Sequence, residues 1–184
     1  MLEEVSESAQ DMINAEGRSG LHVLEGLLVV AGAVLLSALV TAKAAPGHGN
    51  TKRKVQEAML SKPAETPSAG AFAQAWPALS LVLTLSGLRI WNAPSSPQRT
   101  RALGFWAAIQ ALNALWMTWS PRQQSARLAT TAAALGAGAL FANEARKVDG
   151  TAAALVSPYL GWSGVTSLVT GEIWRRNRNR PTIH

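Results

Sequence analysis

The sequence has no cysteine in its 184 residues, which excludes a disulfide frame and any thiolate metal site. Its three histidines, His22, His48 and His184, are too scattered to form a ligand cluster. Charge is scarce: 15% of residues are Asp, Glu, Lys or Arg, against roughly a quarter in soluble domains. The long apolar stretches contain no nucleophile–base pair and no paired carboxylates, which argues against an acid–base enzyme. Residues 1–20 carry Glu3, Glu4, Glu7, Asp11 and Glu16 against Arg18. They are too acidic and too weakly apolar for a signal or transit peptide, and read as a short surface helix or a tail.

What is abundant is apolar sequence. Hydrophobic residues make up 48% of the chain, and the mean hydropathy of +0.09 is held down by the polar ends and one long polar loop. Five stretches have the length and character of membrane spans, for which about 20 apolar residues suffice. They are residues 23–42, 71–91, 102–120, 126–142 and 151–174. The pattern predicts an all-α membrane protein, a bundle of five transmembrane helices. A polar acidic extension (1–22) precedes the helical domain (23–177), and a basic tail (178–184) follows it. The net charge of +6 is read as basic residues flanking spans and touching anionic lipid, with no nucleic-acid partner. If the chain crosses five times, eleven of the 17 Lys and Arg, including the C-terminal arginines, lie on one side. That side should be cytoplasmic.

Polar and aromatic residues inside the spans mark candidate sites. The fifth span has no charge before Glu172 and contains Pro158-Tyr159-Leu160, then Trp162. Proline inside a span frees a backbone carbonyl, and Tyr and Trp beside it can stack. In the third span, Gln110, Asn113 and Trp116 recur every three residues along one helical face. A buried Asn in lipid must pair with something, either another helix or a ligand, and the sequence leaves both open. The fourth span holds the small-xxx-small pairs Ala132/Gly136 and Ala134/Gly138. These suit close packing inside the bundle or a homodimer seam through Ala132, Gly136 and Ala139. Arg89, at the end of the second span, is placed to reach the interface. The segment 43–70 is rich in Pro, Gly and Lys and is either a binding loop or disordered; residues 52–61 within it suit a short amphipathic helix.

Taken together, Pro158-Tyr159-Leu160, Trp162, Trp174-Arg175, Leu112-Asn113, Trp116, Lys62-Pro63, Trp76 and Trp91 resemble, in order and spacing, the TspO/MBR family of tryptophan-rich sensory and translocator proteins. The resemblance covers roughly residues 23–177. It implies a five-helix bundle with a ligand pocket under the first loop, lined by Trp76, Asn113, Trp116 and Trp162 with Tyr159 and Thr166 near them. It implies a tetrapyrrole such as porphyrin or haem, or a sterol-like molecule, as ligand, with no cofactor required, and roles in sensing, transport and tetrapyrrole regulation. Lys62 would suit the propionates. A porphyrin-degrading activity and a scaffold without ligand remain open alternatives. The sequence departs from the family pattern at Ser68, Ser80, Ile109, Thr166 and Thr170, and VTGEIWRR lacks the tyrosine of the C-terminal sterol motif.

Overall fold

The structure, a computed structural model, describes residues 2–44, 51–119 and 123–179. Within them the chain is all-helical: α1 (Leu2–Met12), α2 (Gly20–Ala44), α3 (Thr51–Ala58), α4 (Ala69–Asn92), α5 (Pro97–Thr118), α6 (Gln124–Ala145), α7 (Gly150–Leu155) and α8 (Ser157–Asn177). The chain chemistry sets these limits. Ser68 caps α4 by accepting from the Ala71 amide, and Ser96 caps α5 by accepting from Arg99, with Pro97 at the first helical position. Asp149 caps α7 in the same way through the Ala152 amide. The fifth expected span is not one helix. Pro158 has no N–H to return to the carbonyl four residues back, and the ladder breaks at Val156 between α7 and α8. The third expected span ends at Thr118 within the described residues.

Among the described residues, three segments are long and apolar enough to cross a membrane: Gly20–Ser37, Gly70–Asn92 and Gly150–Asn177. α5 and α6 fall short in hydropathy. Arg99 and Arg101 open α5 and Gln110 and Asn113 interrupt it, while Arg127 and Glu144 stand near the two ends of α6.

The long helices close into a ring. α5 packs along α6, α6 on α8, α7 and α8 on α4, and α2 against both α4 and α5. Leu83, Ile90, Ile109, Phe141, Val156 and Tyr159 fill its centre. The outward face of α2 carries exposed Leu24, Leu28, Leu35 and Leu36, an apolar exterior suited to lipid tails. Two glycines allow close helix contact: a Cβ on Gly87 would meet Trp106 at 2.6 Å, and one on Gly26 would overlap Trp91. Trp106 is held there by its indole N–H, which donates to the Leu83 carbonyl at 2.9 Å. α5 and α6 are also tied by Glu144, which accepts from Arg101 at 3.1 Å and from Lys147 at 2.7 Å. These partners, Lys147 foremost, hold the Glu144 carboxyl below its ordinary range against the opposing effect of burial. A carboxyl with a lowered folded pKa stabilises above the unfolded pKa, and this contribution is lost as pH falls through the folded value.

Arg89, at the end of α4, is held by protein groups. Its side chain is 13% exposed and pairs with Asp149 at 2.8 Å. It also donates to the carbonyls of Asp11 and Met12, at 2.6 and 3.0 Å, which closes the C-terminal end of α1. Asn92 adds a bond to the Ile13 carbonyl at 2.8 Å, and Ala15 is buried at the junction. The acidic extension is therefore docked on the end of α4. Arg89→Met keeps the apolar stem and removes these donors. It should speed amide hydrogen exchange across residues 2–15 by about tenfold or more, each lost charge-assisted bond being worth roughly 1.5–3 kcal/mol. Exchange in α5 and α6 should not change.

Candidate aromatic cleft

Two connected chambers lie between α4, α5, α6 and α8, under the segment that follows α3. The inner one, about 40 Å³, is bounded by Phe72 and Trp76 of α4, Leu112, Asn113 and Trp116 of α5, Thr130, Thr131 and Ala134 of α6, and Tyr159, Trp162, Ser163 and Thr166 of α8. The outer one, about 300 Å³, shares Phe72, Trp116, Trp162 and Thr166 and continues to Lys62, Pro67, Ser68, Arg127 and Thr170.

Helix periodicity puts these groups on one wall. Phe72 and Trp76 are four apart on α4 and stack, with ring centroids at 5.3 Å. Phe72 also stands 6.0 Å from both Trp116 and Trp162, so three indoles surround one phenyl ring. Across the inner chamber Tyr159 donates to Asn113 Oδ1 at 3.0 Å. Tyr159 is 1% exposed, and it fits because Gly138 of α6 lies beside it: a Cβ there would sit 3.4 Å from its ring and 2.8 Å from Leu160.

With Asn113 Oδ1 taken, its Nδ2 is buried without a partner among the described residues, as is the Trp116 indole nitrogen. Buried donors left unmade cost about 1–3 kcal/mol each, so two in one chamber mark a place for an acceptor. The Thr166 hydroxyl is already used, donating to the Trp162 and Ser163 carbonyls at 3.0 and 3.1 Å. Gln110, three residues before Asn113, is buried but lines neither chamber; α2 approaches its backbone instead, through Ser37 at 3.5 Å.

All seven residues singled out by sequence stand at this cleft: Trp76, Asn113, Trp116, Tyr159, Trp162 and Thr166 in the inner chamber, and Lys62, exposed, in the outer one. Phe72, at the centre of the aromatic cluster, was missed, although its spacing to Trp76 signals a shared face. Arg127 was missed too; its guanidinium lies 4.7 Å from the Trp116 ring centroid. The other tryptophans serve packing. Trp91 stacks on His22 at 5.9 Å, Trp119 donates to Thr130 at 3.0 Å, and Trp174 lies under Arg178 at 5.6 Å.

Residues 26–175 match the TspO/MBR family. The chain belongs to the TspO/MBR family. It is also 32% identical, over 126 residues, to the tryptophan-rich sensory protein of Cereibacter sphaeroides, a match that covers 66% of this chain and 77% of that protein. Of the positions that depart from the TspO/MBR pattern, Ser68, Thr166 and Thr170 line the cleft, whereas Ile109 is in the core.

One latch closes the cleft from outside. Asn177 of α8 accepts from the Ser61 amide at 3.0 Å and donates to the Ser61 carbonyl at 3.0 Å. This holds the segment carrying Leu60 and Lys62 over the outer chamber. Each such bond contributes about 1 kcal/mol net. Asn177→Ala should therefore raise amide exchange at residues 60–62 by about tenfold. Thermal stability should fall only slightly.

Proposed function

We propose that the protein is a five-span integral membrane protein that binds a hydrophobic tetrapyrrole, porphyrin or haem, or a similarly flat ligand in this cleft. Its role is then sensing, transport or regulation of tetrapyrrole metabolism and stress response. The observation that carries the reading is the pair of unpartnered buried donors, Asn113 Nδ2 and Trp116 Nε1, facing a chamber walled by Phe72, Trp76 and Trp162. Indoles stack on the faces of a flat aromatic disc, and the two N–H groups suit acceptor atoms at its edge. The sensory name of the Cereibacter relative supports the same class of role. At about 300 Å³ the outer chamber is at the small end of ligand sites, so a macrocycle enters edge-on with its polar rim at the mouth, near Lys62.

No His, Cys or Met is among the described residues lining the chambers, and the one tyrosine there, Tyr159, already donates its hydroxyl to Asn113. Ring stacking then decides affinity. Metal-free porphyrin and haem should quench tryptophan fluorescence with dissociation constants within a few-fold of one another. Trp162→Ala should weaken both by about tenfold or more, given roughly 1–3 kcal/mol per stacked ring. Trp174→Phe, outside the cleft, should leave both unchanged. Equal binding by parent and Trp162→Ala contradicts the site, and a new absorbing porphyrin product formed in light contradicts a pure binding role.

The same reading includes orientation and assembly. The C-terminal end of α8 and the segment at Ser61 share one end of the bundle, and this end carries most of the basic residues, so we place it in the cytoplasm. On α6, Ala134 and Gly138 face inward, while Ala132, Gly136 and Ala139 are exposed. A Cβ on Gly136 meets nothing within 4 Å among the described residues, which leaves that face open to a second copy in a homodimer. Gly136→Leu should shift cross-linked species from dimer toward monomer, and an unchanged dimer rules out this seam.

A further inference from the structure

The acidic extension has two faces of different chemistry. Val5, Ala9 and Met12 recur at i, i+4 and i+7 along one face of α1, and Glu4, Glu7 and Asp11 at i, i+3 and i+7 along the other. In a soluble fold the apolar stripe of such a helix is covered by the core. Here every residue from Glu4 to Met12 is exposed, Val5 at 62% and Met12 at 52%. Among the described residues no other helix packs along α1.

The end of α1 is nevertheless fixed. Asn14, in the left-handed region at φ 55°, closes it with a Schellman turn. The Ala15 amide donates to the Gln10 carbonyl at 2.8 Å and the Asn14 amide to Asp11 at 3.1 Å. Arg89 and Asn92 of α4 hold the Asp11, Met12 and Ile13 carbonyls, and Asn14 donates back to the Arg89 carbonyl at 3.4 Å. Ser19 then starts α2 by accepting from the His22 amide at 3.3 Å. The direction of α1 is therefore set at one end, while its faces meet no other helix. A helix of 11 residues is marginal in water on its own, so something covers the apolar stripe.

The place of α1 in the fold says what does. It is tied to the last turn of α4, a segment able to cross a membrane. Trp91, Arg99 and Arg101 stand at that end, with Arg99 donating to the Trp91 carbonyl at 2.6 Å, and Trp and Arg are residue types of the headgroup layer. The first turn of α2 lies against the same end, since His22 stacks on Trp91. The apolar exterior of α2 begins there with exposed Leu21 and Leu24.

We propose that α1 lies in the interfacial layer of the membrane at the end of α4, with Val5, Ala9 and Met12 toward the acyl chains and the carboxylates toward water. The partner is a lipid surface of low net charge, because α1 has no Lys or Arg with which to hold anionic headgroups. Its apolar stripe is too narrow to bind lipid tightly by itself. The Arg89 tether keeps it at the surface, where a weak affinity suffices. This inference goes beyond the ligand-binding reading and is independent of what occupies the cleft; it requires only that the bundle spans a membrane.

The chain has no cysteine, so one introduced cysteine carries one nitroxide label. Val5→Cys, Glu7→Cys and Leu28→Cys, each in the full chain, are labelled and placed in phosphatidylcholine nanodiscs. Collision rates are measured with oxygen, which concentrates among acyl chains, and with a nickel chelate, which stays in water. Melting temperature reports folding. The oxygen-to-nickel ratio at Val5 should exceed that at Glu7 by about tenfold or more, as for an apolar side chain moved out of water. Leu28, on the exterior of α2, should show a high ratio as the reference. Adding Arg89→Met to Val5→Cys should lower the ratio, and an unchanged ratio overturns the role of the tether. Equal ratios at Val5 and Glu7 with a high ratio at Leu28 overturn the proposal but leave the spanning bundle intact. A Val5 label shielded from both reagents also overturns it, because protein then covers the stripe. A water-accessible Leu28 overturns the membrane reading and this inference with it.

Discussion

The geometry of the cleft depends on one hydrogen bond, from Tyr159 of α8 to Asn113 of α5 at 3.0 Å. It joins two helices that face one another across the inner chamber, and a third, α6, makes room for it at Gly138. In an apolar surrounding such a bond is costly to break, since neither partner finds water. By taking the Asn113 oxygen it also leaves the amide nitrogen without a hydrogen-bond partner among the described residues. A contact that holds the bundle together therefore creates the polar character of the cavity.

The rest of the molecule holds this centre from its two ends by different means. At one end Arg89 gathers Asp149, the α1 carbonyls and the start of α7 into a single charged node. At the other, Asn177 grips the backbone of Ser61 and keeps the outer chamber covered. Both devices use side chains to satisfy backbone groups that would otherwise be left open at helix ends and loops. The seven tryptophans divide along the same lines. Trp76, Trp116 and Trp162 meet at Phe72 in the cleft, while Trp106 fills the gap at Gly87 and Trp91 the one at Gly26.

Sequence shows the helices because apolar length is a local property, and the caps Ser68, Ser96 and Asp149 are local too. The break at Val156 was announced by Pro158, though the residue alone did not separate a kink from two helices. Asn113, Trp116 and Trp162 stand out in the sequence as polar and aromatic residues inside spans, but only spacing that resembles a family joins them, with Trp76, in one pocket. Arg89 and Asn177 were not legible in their actual roles. Their partners lie 60 and 116 residues away in the chain, and no periodicity encodes such pairs. Nothing in the sequence separates Arg127 from the other cations near span ends, because what distinguishes it is a ring on another helix.

The central claim is that the unpartnered donors of Asn113 and Trp116 meet the ligand. Proton–nitrogen correlation spectra of the side-chain amide and indole groups, recorded during a porphyrin titration in lipid nanodiscs, test it most directly. The account expects the Trp116 indole and Asn113 amide resonances to shift strongly and saturate together, while Trp106, whose N–H is bonded to Leu83, stays in place. Shifts confined to Trp174, with Trp116 and Asn113 unmoved at saturation, would contradict it.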